Sequence, residues 1–199
     1  MNHHLLAGIT ALLAVLVGIT FIRGRKTNWK LTLQTAEFLE KELSPKDKTY
    51  TWIGGYIGFT AEYTTDLGKV RVVLTLLPRH ALLWIWISKL LRGCDTIFMI
   101  IEAPEIKAPS ESVWKKRSAP FLSSITKGMI GNKVGKNLYW FGEVQGPLYE
   151  NIDKWEKLDI VQIAISPENK RIYMAVCLKD FQKAFLELKK IILRIVPAS

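Results

Sequence analysis

An α+β domain hung on one N-terminal membrane helix is the fold class the sequence predicts, and three observations predict it. Residues 5–22, LLAGITALLAVLVGITFI, run for 18 positions without a charge. Beyond them come short segments rich in β-branched and aromatic residues, bounded by Gly and Pro, which read as strands. Residues 180–196 close the chain as an amphipathic helix. Strands that follow one another directly, with the helices set on one side, favour a mostly antiparallel α+β sheet over a doubly wound one.

As a helix rising 1.5 Å per residue, residues 5–22 cover about 27 Å, close to the ~30 Å hydrocarbon thickness of a bilayer. Three readings compete: a transmembrane anchor, a cleaved secretory signal and a buried core helix. A signal wants cations before its apolar run and a small-x-small cleavage site after it. Here only Met1, Asn2, His3 and His4 precede the run, and Arg23, Arg25 and Lys26 follow it. A core helix with no polar face needs protein on all sides, which one small domain hardly supplies. The anchor is therefore preferred, with residues 1–26 as anchor and basic exit and residues 27–199 as one domain. The positive-inside bias places that domain on the cytoplasmic face and the N-terminus outside.

Residues 28–43 carry Trp29, Leu33, Ala36, Leu39 and Leu43 at helical spacing, and Ser44 with Pro45 stops the run. This helix is expected to continue from the anchor through a polar joint. Trp29 stands where an aromatic marks the head-group level, or where the core begins. Residues 50–65 read as strand, glycine turn and strand; Gly54 and Gly58 lack the Gly-Lys-Ser/Thr ending of a phosphate loop. After a turn at 66–69, residues 70–77 form a buried strand. Residues 79–92, RHALLWIWISKLLR, are a helix closed by Gly93. Nine of its eleven residues from 81 to 91 are apolar, so a sheet covers only one stripe of it. The remaining face, with Trp84, Trp86 and Ile87, needs a second partner: the domain's own helices, the membrane surface or another protein.

Residues 95–103 are a second core strand and 105–111 a loop. In residues 113–130, Ser118 is placed to cap and Pro120 to enter a helix with Phe121, Leu122, Ile125 and Met129 on one face. Residues 131–136 read as a loop, 138–144 as a strand, and 147–157 as a short helix carrying Leu148, Ile152 and Trp155. Residues 159–165 and 171–178 pair across a hairpin turn. In the closing helix Phe181, Ala184, Phe185, Leu188, Ile191, Ile192 and Ile195 lie inside, and Lys183, Lys189, Lys190 and Arg194 outside.

The charge balance is 28 Lys plus Arg against 18 Asp plus Glu, a net +10, and all of it follows Ile22. Such a field beside a membrane draws anionic lipid head groups and RNA phosphates. Candidate anion- or partner-binding residues are Arg23, Arg25 and Lys26, then Lys115, Lys116 and Arg117, then Lys127, Lys133 and Lys136, which a single belt would unite. Cys94 and Cys177, the only cysteines, read as reduced, buried thiols, with no zinc site. His80, alone beyond the anchor, reads as a surface or capping residue. No HExxH, CxxC, GxSxG or Gly-Lys-Ser/Thr motif occurs. No catalytic residue, metal, cofactor or small-molecule substrate is expected, and the chain is read as a non-enzyme.

Residues 70–104, VRVVLTLLPRHALLWIWISKLLRGCDTIFMIIEAP, resemble the calumin family, coiled-coil-domain-containing proteins of the endoplasmic reticulum that partner the Asterix chaperone in multipass membrane-protein insertion. The shared pattern is a strand ending in a basic pair, a double-Leu helix with an apolar-apolar-Arg close, then a second strand. A membrane helix with a basic exit before it, and a hairpin plus helix after it, match in layout. The resemblance implies an accessory factor in membrane-protein insertion, contacting translocon or insertase subunits and the ribosome through rRNA phosphates. The family's acidic luminal region and coiled-coil tail have no counterpart here, so the family's luminal calcium association is not carried over. The alternative is a membrane-tethered module that binds anionic lipid head groups.

Overall fold

Nothing interrupts the apolar stretch where the cations begin: residues His3–Leu43 form one helix of 41 residues, α1. The computed structural model describes residues 3–116, 131–142 and 144–197. At 1.5 Å per residue α1 is about 60 Å long, so its first half stands clear of the domain while its second half lies on it. Its apolar window is long and apolar enough to cross a membrane, and none of that window is buried by the rest of the chain.

The remaining elements are β1 (Asp47–Trp52), a 3-10 turn (Gly54–Tyr56), β2 (Gly58–Thr65), β3 (Gly68–Thr75), α2 (Leu82–Arg92), β4 (Thr96–Glu102), β5 (Glu111–Lys115), β6 (Asn132–Lys133), β7 (Leu138–Gly142), α3 (Pro147–Glu150), α4 (Ile152–Lys157), β8 (Ile160–Ser166), β9 (Arg171–Cys177) and α5 (Leu178–Ile195). The strands make one nine-stranded sheet in the order β1-β2-β3-β4-β9-β8-β5-β7-β6. Every neighbouring pair is antiparallel. Alternation decides the faces. Phe59, Ala61, Tyr63, Val70, Val72, Leu74, Ile97, Met99, Ile101, Ile172, Met174 and Val176 are all buried on one of them.

α5 and the second half of α1 lie side by side over that face. The Phe38 ring meets Phe181 and Phe185 edge-on at centroid distances of 5.6 and 5.8 Å, and Lys189 reaches Glu42 at 3.0 Å. All seven residues read as the inner stripe of α5 are buried. A bulge between Ile160 and Gln162 in β8 turns Val161 to the opposite face, where it packs with Ala175, Phe98 and Cys94.

Several expectations need correcting. On α1 the inward stripe is Gly24, Asn28, Thr32, Thr35, Leu39 and Leu43; Trp29 and Leu33 are exposed. The stripe matches the expectation at Leu39 and Leu43 and is shifted by one residue, about 100°, at Asn28, Thr32 and Thr35. Two backbone carbonyls at the sheet's end need a donor, and Asn28 supplies it. The loop expected over 131–136 contains β6, which pairs Asn132 with Trp140 and Lys133 with Tyr139. The single helix over 147–157 is two short ones, α3 and α4, that meet at Asn151. Part of 113–130 is the end of β5, and the helix expected after Ser118 lies outside the described residues. Cys94 and Cys177 are not free thiols: they form a disulfide, with Cα atoms 5.9 Å apart. The sheet order explains it, because β9 pairs with β4 and sets Cys177 opposite Thr96, two residues from Cys94.

Glu111 is the one acid buried among the described residues. Its carboxylate accepts the N–H groups of Leu148 (2.7 Å) and Tyr149 (3.2 Å), with the Trp140 indole N–H at 3.5 Å, and so holds the α3 turn onto β5. Burial pushes its pKa up, against those hydrogen bonds, which pull it down. With the folded pKa above the unfolded one, the unfolded chain loses its proton first as pH rises. This group's contribution to stability therefore falls between the ordinary carboxylate pKa and the raised one. We expect Glu111→Gln to flatten that slope in denaturant unfolding across pH 4 to 8. The same variant should cost about 1–3 kcal/mol at neutral pH, because an amide cannot accept at both positions. An unchanged slope would show that Glu111 titrates as it does in the unfolded chain.

Candidate membrane-proximal interface

The register places one end of the sheet beside the exit of the apolar stretch. Gly58 pairs with Thr75, Thr75 with Thr96 and Thr96 with Cys177, so the loops after β1, β3 and β9 and before β4 share that end. α1 reaches it at Gly24, which is buried against the turn before α2. A Cβ at Gly24 would overlap the Arg79 carbonyl. One turn earlier Phe21 meets the His80 ring edge-on at 6.0 Å, and His80 meets Tyr56 at 6.3 Å. The start of α2 is thus held level with the last turn of the apolar stretch of α1.

A buried polar hub fixes this junction. Asn28, 0% exposed, donates through Nδ2 to the carbonyls of Tyr56 (2.8 Å) and Leu77 (2.9 Å). Its Oδ1 accepts from Arg79 at 3.0 Å. The Arg79 guanidinium grips Asp95 with two nitrogens, at 2.9 and 2.5 Å, and Asp95 also accepts the Leu77 N–H at 2.7 Å. The planar fork of Arg suits such two-point binding. At the other end of α2, Gly93 takes a positive φ of 80° as the C-cap, and Cys94 follows with its bridge to Cys177. α2 is therefore tethered at both ends, while its body touches little.

That body is the outstanding surface of the molecule. No residue of α2 is buried among those described. Trp84 is 62% exposed, Trp86 68% and Leu90 73%; Leu82, Ile87 and Leu91 are exposed as well. Among the described residues, none of the domain's helices covers the face with Trp84, Trp86 and Ile87. Lys89 and Arg92 stand in the last turn, with the Lys89 ammonium 5.4 Å from the Trp86 ring.

The basic residues fall into two groups. Arg23, Arg25 and Lys26 are exposed around Gly24, and Arg25 lies over the Tyr56 ring at 4.1 Å. Trp29 stacks on Trp52 one turn further, at 5.2 Å. Lys115 is engaged: its ammonium donates to the carbonyls of Glu156 and Leu158, both at 3.0 Å, at the end of α4. Lys116, Lys133 and Lys136 are exposed near the same end of β5, β6 and β7. Five strand spacings separate β2 from β5, roughly 24 Å, so these groups are two patches and no single belt joins them among the described residues. Arg117 and Lys127 lie outside the described residues.

A separate cleft of about 720 Å³ between α4 and α5 gathers titratable groups, several of them in ion pairs. Glu187 pairs with Lys154 at 2.8 Å and Lys190 at 2.7 Å, and those hydrogen bonds hold its carboxyl below the ordinary range. Asp180 accepts the Asp159 N–H at 2.8 Å. The Lys154–Glu187 pair ties α5 to α4.

Sequence reasoning found α2 and the cations but missed Gly24, Asn28, Arg79 and Asp95. Polar Asn and Thr recurring every three to four residues after Gly24 is the signal that marks the buried stripe. His80 caps nothing: the N-cap of α2 is Ala81, and the His80 Nδ1 is buried without a hydrogen-bond partner among the described residues. No family model and no curated protein matches the chain, so what this interface does is read from its own geometry.

Proposed function

We propose that the chain is a non-enzymatic, single-pass membrane protein whose domain lies against the bilayer surface through α2. One observation carries this reading: an eleven-residue helix with six large exposed apolar side chains is held level with the end of the anchor. A helix in the head-group layer buries such side chains in the acyl boundary and keeps its cations at the phosphates, as Lys89 and Arg92 would be. Trp84 and Trp86 suit the same layer, where an amphipathic ring keeps its N–H wet.

Brominated acyl chains quench tryptophans that touch them. With the full chain in nanodiscs of brominated phosphatidylcholine, quenching is expected to fall by about half or more in Trp84→Phe/Trp86→Phe, since these two are the most exposed of the seven tryptophans. Equal quenching in the wild type and the double variant would remove α2 from the bilayer.

A second reading makes the same helix a seat for the apolar segments of other membrane proteins. The chain would then be an accessory factor of membrane-protein insertion, with translocon or insertase subunits as neighbours and ribosomal phosphates near Lys116, Lys133 and Lys136. What supports it is the calumin resemblance, which spans α2 and the strands on either side. It needs the domain in the cytoplasm, as Arg23, Arg25 and Lys26 favour. The Cys94–Cys177 bridge favours the other side, because disulfides persist in oxidising compartments. In sealed right-side-out vesicles, protease added outside is expected to leave the domain intact. Digestion of the domain there would strike the ribosome from its partners and leave lipid docking in place.

A further inference from the structure

Down one face of α1, at the point where it leaves the apolar stretch, Phe21 and Ile22 come first. Arg25 and Lys26 follow one turn on, and Trp29 one turn beyond that. Spacings of three and four set these on one side of a helix. With Tyr56 they line a cleft of about 490 Å³. A second cleft of about 300 Å³ adjoins it, sharing Trp29 and Tyr56 and floored by Gly55 and Gly58. No carboxylate lines either cleft, and among the described residues neither Arg25 nor Lys26 forms an ion pair. The Arg25 Cζ lies over the Tyr56 ring, 4.1 Å from its centroid. A guanidinium held over an aromatic face is attracted by the ring and keeps N–H donors for an anion.

We propose that this cleft binds one phospholipid with a net negative head group. The order of the residues is the order of such a molecule. Its acyl chain would lie along Phe21 and Ile22, its phosphate would meet the Arg25 fork and the Lys26 ammonium, and its head group would reach toward the Trp29–Trp52 stack. Two cations without a counter-charge complement a phosphate and a further negative charge better than they complement a zwitterion. Rigid aromatic walls keep the ordering cost of the protein side low. The inference rests on the reading of α1 as a membrane span but is independent of whether α2 enters the bilayer.

The test uses the full chain, purified in a neutral detergent and stripped of lipid. Native mass spectrometry and thermal unfolding are followed with phosphatidylglycerol, phosphatidylcholine and inorganic phosphate as separate probes. One phosphatidylglycerol is expected to be retained per chain and to raise the unfolding temperature. Arg25→Gln/Lys26→Gln should weaken retention about tenfold or more, the equivalent of one charge-assisted hydrogen bond. Lys69→Gln/Lys107→Gln, the same change of charge at the far end of the sheet, should leave retention unaltered. Equal retention of phosphatidylcholine, an equal effect of inorganic phosphate, or unaltered binding in Arg25→Gln/Lys26→Gln with intact circular dichroism would each overturn the proposal. Trp84→Phe/Trp86→Phe is expected to retain the lipid, so equal quenching in the wild type and that variant strikes the docking reading and not this one.

Discussion

Reduction of the Cys94–Cys177 bridge is expected to lower the stability of the domain by about 4 kcal/mol. The two cysteines are 83 residues apart, and closing a loop of that length removes unfolded-state entropy worth roughly that much in the chain-entropy account. For a domain of this size the unfolding temperature should fall by about 10 °C. The bridge joins the end of α2 to the β9–α5 junction, where Leu178 N–H also donates to the Asp95 carbonyl at 2.9 Å. Opening it should therefore loosen α2 first, and hydrogen exchange should rise earliest at α2 and at Cys94–Asp95. The measurement is thermal unfolding of the full chain in detergent, with and without a phosphine reductant, beside Cys94→Ser/Cys177→Ser. If alkylation finds both thiols free before reduction, the bridge is not part of the native molecule. The same alkylation in intact cells reports the compartment of the domain, because a reducing cytosol would leave the pair open.

Asp95→Ala is expected to cost about 3 kcal/mol. The substitution strips both bonds from the partly buried Arg79 guanidinium and orphans the Leu77 N–H, and removing one partner of such a pair leaves its charge uncompensated. Arg79 would keep only Asn28, whose side chain already serves two carbonyls. Asp95→Asn should recover part of the loss, since an amide oxygen still accepts the Leu77 N–H. A double-mutant cycle with Arg79→Ala should give a coupling of about 1–3 kcal/mol. A coupling near zero would mean that the pair is solvated and that the junction is held by packing at Gly24 instead. The functional consequence is a change in α2: trypsin should cut at Lys89 or Arg92 faster in Asp95→Ala than in the parent, because one of the helix's two tethers is gone.

Local pattern carried much of the fold. The inner stripe of α5 was legible because seven apolar residues at helical spacing have only one way to face a sheet. The strands at 70–77, 95–103 and 171–178 were legible from runs of β-branched residues ended by Pro or a turn. On α1 Leu39 and Leu43 were legible as inner positions, but residues 28–35 were read one residue out of phase because hydrophobicity alone ranked Trp29 and Leu33 as inner. The inner face there is polar, and Asn28 on it satisfies carbonyls that belong to loops 28 and 49 residues away. β6, with only two residues, was too short to carry a pattern of its own.

Of the interface, α2 was legible in composition: nine apolar residues in eleven exceed what one sheet face can hide. Whether anything in the chain covers α2 was not legible, because that depends on where α1 and α5 lie once the sheet has formed. By itself the sequence determined the membrane-length helix, the strands and the amphipathic close, all of which arise from interactions between residues a few positions apart. Only the tertiary structure decided that β9 sits between β4 and β8, that Cys94 meets Cys177, that Asn28 meets Arg79, and that no helix among the described residues covers α2. These depend on pairings between distant segments, which hydrophobic periodicity does not encode because a strand's alternation is the same whichever neighbour it finds.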